Sequence, residues 1–392
     1  MKKLSLILIF LPLFLAINSS LVFGQPPLKV GALIPFTGRW GDSGKEFAKG
    51  FWDAGKWLNQ KGGIFGKKLE IMLIEDTLSP SEIMAAYRKL NEADHILLLY
   101  VFSPETSLWL LPHHPLDRIP MVVHSFSNQL AHPVKYPYLF SVLPTPLDLS
   151  KIAMKFILER SGIKARKPKV VFVGSPDHMG KHFLDETKNY ARSLGLDTGH
   201  DIWISLPLGS DEQKRKESLL PLLAIAQYHP DFAYLSLSSK EASVLLKEVK
   251  GMDLKTRWIC NLRTFDENLI PFEGVFGVQP ISPFGEDIPG MPPILEAHQK
   301  WHPYDSHTLF YVEGWATLQV ISEVLGRSLQ RHEYSRERVK MSFEGLKDFV
   351  LGGLIPPLTI TAKDHRPSVE SRVLIIKEGK LARYTDFISV GR

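Results

Sequence analysis

The segment from Leu28 to Phe102 alternates between short apolar runs and amphipathic segments, and this alternation constrains the fold more than any other feature of the chain. Three runs have the length and apolar content of strands, at 28–34, 68–74 and 95–102. Two helices lie between them, and each is predicted to start at a capping-box sequence, Ser43 to Glu46 and Ser79 to Glu82. Strands that alternate with helices predict a parallel sheet with right-handed crossovers, whose ligands bind beyond the carboxyl ends of the strands.

The same alternation starts again after residue 144, which predicts a second lobe similar to the first. The predicted strands of the second array are 169–174, 202–205, 231–237 and 256–260, and the predicted helices are 181–194, 212–227 and 240–250. Further helices are predicted near 307–325 and 336–349, and closing strands at 373–376 and 381–388. Crossovers are expected near 144 and 277, a family resemblance implies a third near 353, and three crossovers would make a hinge. The predicted fold class is therefore α/β, with two doubly wound parallel-sheet lobes that close over a ligand.

An ordered set of short sequences carries a family resemblance. The runs 30–38, 59–68 and 74–76 resemble the opening of the type I periplasmic solute-binding proteins of the leucine/isoleucine/valine-binding family. Weaker similarity continues through 311–316 and 352–361. The resemblance implies an N-terminal lobe of 27–143 plus 278–352 and a C-terminal lobe of 144–277 plus 353–392.

The N-terminus has the pattern of a secretory signal peptide. Lys2 and Lys3 precede an apolar segment from Leu4 to Ile17, and Val22-Phe23-Gly24 is a passable cleavage site. We expect residues 1–24 to be removed and the mature chain to begin near Gln25 in the periplasm. An uncleaved anchor is the alternative. Lipid attachment through an N-terminal cysteine is excluded, because no cysteine lies near the cut.

Composition excludes several other classes of function. Cys260 is the single cysteine and lies in a strand-like run, which favours a buried apolar residue over a reactive thiol. The net charge of +5 is scattered, so nucleic-acid binding is not expected. The adjacent His113 and His114 lack further ligands at a suitable spacing, which favours a surface helix end over a metal site. No nucleophile-elbow, Walker or zincin motif occurs, so we expect neither an enzyme nor a cofactor.

Candidate ligand-binding residues follow the strands, in the turns where this fold binds its ligands. Trp40 lies in a glycine-rich turn, where a binding surface is favoured over an incidental rim aromatic. The resemblance assigns ligand contacts to the turns that follow the third and fourth strands and to the second lobe. These residues are Ser103, Thr106, Ser125, Phe126, Asn128, Met179 and Ser238. Turn formation by the small polar residues, and core packing by Met179, are the alternatives.

The chain departs from the family where an amino-acid ligand would be held. Amino-acid binders of the family place a carboxylate in the second lobe to pair with the ammonium group of the ligand. The matching stretch here is Asn261-Leu262-Arg263, which contains no acid. Arg263 would repel an ammonium group and favour an anion. We therefore expect a ligand with a carboxylate and an apolar or aromatic body.

These observations predict the periplasmic substrate-binding component of an ABC importer. Its expected partners are a small-molecule ligand and the membrane permease, and we expect a monomer. The alternative is a ligand-sensing module of the same fold that signals through a partner. An enzyme on a doubly wound fold is disfavoured by the missing motifs.

Overall fold

The structure is a computed structural model that describes residues 26–124, 127–174, 178–204, 220, 222–252, 254–330 and 334–392. For residue 39 and residues 178–183 it describes the backbone alone. Within these ranges, no helix combines the length and the apolar character needed to cross a membrane. The predicted signal peptide lies outside the described residues.

The first lobe is built on a five-stranded sheet with the strand order β2-β1-β3-β4-β5, in which every neighbouring pair is parallel. The strands are β1 Leu28–Ile34, β2 Leu69–Glu75, β3 Leu98–Val101, β4 Met121–Val123 and β5 Leu139–Ser141. Helices α1 Gly41–Gln60, α2 Pro80–Arg88 and α3 Pro104–Leu110 connect them. Every residue of β3, β4 and β5 is buried, as in a sheet covered on both faces. Since β2 and β3 lie on opposite sides of β1, the strand order reverses between β1 and β3, where ligands of such sheets bind.

Three late helices complete the first lobe and its surroundings: α8 Pro292–Trp301, α9 Leu309–Leu329 and α10 Arg336–Phe343. Helix α9 packs against α1, and two glycines allow the close approach. A Cβ atom on Gly50 would lie 1.9 Å from the Tyr311 carbonyl oxygen, and one on Gly314 would lie 2.1 Å from the Phe47 carbonyl oxygen. The backbones of the two helices therefore touch, which brings the first turns of α9 to the first sheet.

The second lobe contains a mostly parallel sheet with the order β12-β11-β10-β9-β8-β6-β7, and β13 pairs with β11. The strands are β6 Lys169–Gly174, β7 Asp197–Trp203, β8 Phe232–Ser236, β9 Arg257–Cys260, β10 Phe276–Gln279, β11 Glu370–Lys377, β12 Lys380–Arg383 and β13 Ile388–Ser389. The helices are α4 Pro146–Arg160, α5 His178–Ser193, α6 at 222–228 and α7 Ser239–Val249. Because β10 pairs with β9 and β11, the boundary predicted at residue 278 falls within a strand of the second sheet.

The three crossovers are tied together by arginines. Arg372, on β11, donates hydrogen bonds to the Ser282 hydroxyl (2.9 Å) and the Gly353 carbonyl oxygen (2.5 Å), which lie on two different crossovers. Arg366 lies 3.5 Å from Asp148 at the start of α4, which links the last crossover to the first. The two-lobed, three-segment architecture predicted from the sequence is thus present.

Several local predictions were wrong. Neither predicted capping box forms: α1 starts at Gly41 with Trp40 as its N-cap, and the Ser79 side chain makes no cap hydrogen bond. Strand β7 begins at Asp197, five residues before the predicted start. His114 is buried and not on the surface, with its Nδ1 atom 3.1 Å from the Ile119 carbonyl oxygen. Burial lowers the pKa of His114 to about 4.

Candidate ligand-binding cleft

The two lobes meet at the carboxyl ends of their sheets. Asp42, in the first turn of α1, lies 2.7 Å from Lys240 in the first turn of α7. The Leu309 N–H at the start of α9 donates to the Glu267 carboxylate (2.8 Å), which follows β9. Each contact joins one lobe to the other. The carboxyl ends of the two sheets thus face each other, and the space between them is the candidate ligand cleft.

Trp40 and Arg263, two predicted site residues, come together from opposite sides of this cleft. The guanidinium carbon of Arg263 lies 5.1 Å from the centre of the Trp40 ring, within the range of a cation–π interaction. The Asn261 carboxamide oxygen accepts the N–H groups of Arg263 and Thr264 (3.0 Å each), which fixes the turn after β9. Arg263 therefore places a cation at the cleft.

Ser103 and Thr106 lie at the start of α3, beside the point where the strand order reverses. Both are buried, and the Thr106 hydroxyl donates to Asp76 (2.8 Å), the residue that follows β2. The Ser103 hydroxyl is also buried, and it has no hydrogen-bond partner among the described residues. Buried hydroxyls in native proteins are nearly always paired, so this one fits a ligand oxygen or an ordered water.

The other predicted residues have different surroundings. An Asn128 side-chain hydrogen bond lowers the pKa of Asp148, while burial, the larger effect, raises it. Ser238 forms a capping box with Glu241 at the start of α7, so its hydroxyl is used by the helix end. Met179 lies in the first turn of α5, and its side chain is not described. Ser125 and Phe126 fall outside the described residues.

Sequence reasoning missed a buried contact between a histidine and a glutamate near Ser103. His124 ends β4, and its Nδ1 atom lies 2.6 Å from the Glu313 carboxylate on α9. The His124 ring stacks on Phe102, with 4.8 Å between ring centres. A signal was present in the sequence, because Glu313 is the single charged residue of the otherwise uncharged run 309–322.

Glu267 was also missed, although it has the most perturbed carboxyl group at the lobe interface. Burial, with smaller effects of the nearby Asp266 and Glu46 carboxylates, raises the pKa of Glu267 to about 8. One carboxylate oxygen accepts the Leu309 N–H, and the other is buried with no partner in the described part of the chain. A protonated carboxyl is therefore favoured at this contact.

The residues do not form a metal site. No group of three or more His, Cys, Asp or Glu side chains is arranged to hold a metal among the residues that the structure describes. Cys260 is buried, and burial raises the pKa of its thiol. Among the described residues, the cleft thus offers the Ser103 hydroxyl, the Arg263 guanidinium and the Trp40 ring, which are groups that suit a small ligand.

Fold and cleft together define a two-lobed protein that captures a small ligand. The family model described as periplasmic binding protein matches residues 27–380, and the chain belongs to that family. It is thus a solute-binding protein and not an enzyme, and its place of action is outside the cytoplasm. No curated protein matches the chain.

Solved structures with the same fold include binding proteins with different ligands. A branched-chain amino acid ABC transporter protein from Thermus thermophilus with bound valine is 20% identical, with a TM-score of 0.79 over 93% of this chain and 97% of that one. A fatty acid ABC transporter substrate-binding protein from Thermomonospora curvata is 19% identical, with a TM-score of 0.78 over 93% and 92%. A solute-binding protein of an ABC transporter from R. palustris in complex with benzoate is 17% identical, with a TM-score of 0.71 over 91% and 95%. At these identities the likeness shows the fold.

Proposed function

We propose that this protein captures a small carboxylate-bearing ligand between its lobes and delivers it to the membrane permease of an ABC importer. The observation that carries the proposal is the placement of Arg263 against Trp40 at the cleft. Arg263 would pair with a carboxylate, and Trp40 would pack on an apolar or aromatic body. The structures with valine and benzoate support a carboxylate ligand, since both molecules carry one.

The proposed site consists of the residues predicted from the sequence. Ser103 supplies a buried hydroxyl for the carboxylate, and Thr106 holds the same helix turn through Asp76. The proposed site also includes Ser125, Phe126, Asn128, Met179 and Ser238. An α-ammonium group is not required by this set, because Arg263 stands where the family's acid would be.

Calorimetry tests the ligand class. Leucine and phenylalanine should bind at least roughly a thousandfold more weakly than 4-methylpentanoate and 3-phenylpropanoate, because burying an unpaired ammonium group costs several kcal/mol. Benzoate and a medium-chain fatty acid extend the panel. Tight binding of leucine with weak binding of its deaminated counterpart would refute the proposed ligand class.

A substitution at Arg263 directly tests whether this arginine binds the carboxylate of the ligand. Arg263→Gln should weaken acid binding by about ten- to a hundredfold, the worth of one charge-assisted hydrogen bond. Arg192→Gln, at an exposed arginine of α5, is the matched control and should leave affinity unchanged.

Capture and delivery need separate measurements. Small-angle scattering should show a smaller radius of gyration with saturating acid, because the three crossovers bend together. Stimulation of the ATPase activity of the reconstituted importer by the loaded protein tests delivery. An unchanged radius would contradict capture by closure.

A further inference from the structure

We propose that His124, held by Glu313, is a specificity-determining residue that donates a hydrogen bond from Nε2 to the acid group of the ligand. The inference rests on the proposed function. It adds His124, from the first lobe, to Arg263, from the second lobe, as a partner of the ligand's acid group. Four observations carry it, and they concern position, charge, ring orientation and surroundings.

The position of His124 is at the ligand-facing edge of the first sheet. Its N–H donates to the Val101 carbonyl oxygen (3.1 Å), so it stands one residue beyond the end of β4 and beside the end of β3. Its ring stacks on Phe102, the neighbour of Ser103, and lies 6.4 Å from the Phe310 ring. His124 therefore borders the same end of the sheet as the buried Ser103 hydroxyl.

The charge balance ties His124 to Glu313. Glu313 is only 3% exposed, and a carboxylate buried so deeply must be paired or neutralised. His124 is the basic side chain that the described part of the chain places against it, at 2.6 Å. The 2.6 Å contact is not aligned as a hydrogen bond, so Glu313 acts on His124 through its charge and its position.

The ring orientation leaves the second nitrogen for another partner. Nδ1 lies against Glu313, so this contact leaves Nε2 unengaged. Nε2 has no hydrogen-bond partner among the residues that the structure describes, and 7% of the residue remains exposed. A carboxylate beside one ring nitrogen orients the ring, so that the other nitrogen can donate to a ligand acceptor. Carboxylates orient histidine rings in the same way in other binding sites.

Apolar side chains and a neutral tyrosine surround His124 and Glu313 in the part of the chain that the structure describes. Tyr100 on β3 is the other titratable group near Glu313, and burial, with a smaller effect of the Glu313 charge, raises the pKa of its hydroxyl. Tyr100 is therefore neutral. Phe102 and Phe310 provide apolar surface around the imidazole, which strengthens any hydrogen bond made there.

Matched acids and amides test the inference. In the wild type, 3-phenylpropanoate should bind more tightly than 3-phenylpropanamide, and benzoate more tightly than benzamide. His124→Gln should reduce this acid preference at least tenfold while changing amide affinity less than threefold. Glu313→Gln, a change at the positioning residue, should reduce the preference in the same direction, and the double variant should lose little more than either single one.

A spectroscopic readout separates this role from a structural one. In protein labelled with ¹⁵N-histidine, the His124 signals are assigned by their loss in His124→Gln. Adding 3-phenylpropanoate should move the Nε2 resonance of His124 as a hydrogen bond forms, and Glu313→Gln should change the Nδ1 resonance before ligand is added. Thermal unfolding of each variant checks folding, and His124→Asn replaces His124→Gln if that variant does not fold.

The outcomes distinguish the two proposals. An unchanged acid preference in a folded His124 variant, with the wild-type preference intact, would overturn this inference alone. A wild type that binds neither acid more tightly than its amide would overturn the proposed function and this inference together.

Discussion

Glu267 is the residue whose charge state most directly involves the lobe interface. It follows β9 of the second lobe, and its carboxylate accepts the first free N–H group of α9 in the first lobe. Anions at helix N-termini are normally stabilised by the helix dipole, yet burial here outweighs that effect and raises the pKa from 4.5 to about 8. Folding near neutral pH is thus accompanied by proton uptake at Glu267.

We expect Glu267→Gln to remove a pH dependence of stability. Because the folded pKa of this acid is raised, the folded protein binds the extra proton, and the contribution of Glu267 to stability is greatest below about pH 4.5. The wild type should lose stability relative to the variant as the pH rises from 4.5 to about 8, by up to about 1.4 kcal/mol per pH unit, with no further loss above.

Chemical unfolding of both proteins between pH 5 and pH 9 measures this difference. Glu159→Gln, at an exposed carboxylate of α4, is the control and should follow the wild type. Parallel curves for the Glu267 variant and the wild type would show that Glu267 keeps an ordinary pKa.

Helices α2 and α7 start with similar sequences but differ in their capping. Ser238 and Ser79 are both N-cap residues, and both are followed three positions later by glutamate. Ser238 forms the full capping box, with Glu241 accepting its N–H at 2.8 Å. Ser79 makes no cap bond, since its hydroxyl lies 3.3 Å from the Ser81 hydroxyl and Glu82 accepts the Thr77 hydroxyl at 2.6 Å.

This contrast gives a matched pair of substitutions. Ser238→Ala should lower the free energy of unfolding by about 1 kcal/mol, the usual worth of an N-cap side chain. Ser79→Ala should change it by only a few tenths. Equal losses in the two variants, measured by urea unfolding, would mean that the cap bonds do not account for the difference. Acid affinity measured on Ser238→Ala also tests the proposed ligand role of Ser238.

The close contact between α1 and α9 leads to a prediction about a glycine substitution. Gly50→Ala places a Cβ atom 1.9 Å from the Tyr311 carbonyl oxygen, and neither helix backbone can move without disturbing the buried Phe47 and Trp315. We expect a loss of about 3 kcal/mol, at the upper end for overpacking. Gly251→Ala is the control, because its Cβ atom would meet nothing within 4 Å. Thermal unfolding of both variants checks the ranking.

Arg372 lies where the crossovers between the two lobes come together. Arg372 is 2% exposed, and it joins the second sheet to two crossovers through Ser282 and Gly353. Burial lowers the pKa of Arg372 to about 10, and Glu286 at 3.4 Å partly offsets this. The guanidinium therefore stays charged at neutral pH, and the crossovers are held together by one buried cation.

Arg372→Gln should destabilise the protein by about 3 kcal/mol, because it leaves buried acceptors unpaired. Arg383→Gln removes the more exposed partner of the same Glu286 and should cost less than about 1 kcal/mol. Denaturant unfolding of the two variants measures the difference. A loss at Arg372 no larger than at Arg383 would show that the hinge does not depend on this cation.

The order of elements could be predicted from the sequence because it depends on local patterns. Apolar runs and helical periodicity placed β6 at Lys169–Gly174 and the N-terminal end of α2 at Pro80 without tertiary information. The restart of the alternation after residue 144 predicted the second lobe, and the family resemblance added the bounds of the two lobes. The substitution of Arg263 for an acid was also visible in the sequence, since it needs only the identity of the residue and its place after a strand.

The tertiary structure alone decided which side chains meet across the lobes. Ser43 and Glu46 have the spacing of a capping box, but Glu46 instead lies 3.3 Å from His307, 261 residues later. His124 and Glu313 are likewise distant in sequence, and nothing local signals that β4 and α9 bring them within 2.6 Å. Local patterns depend on neighbours three or four residues apart, whereas the charge and protonation of the cleft depend on burial and on contacts between distant segments, which exist only once the chain has folded.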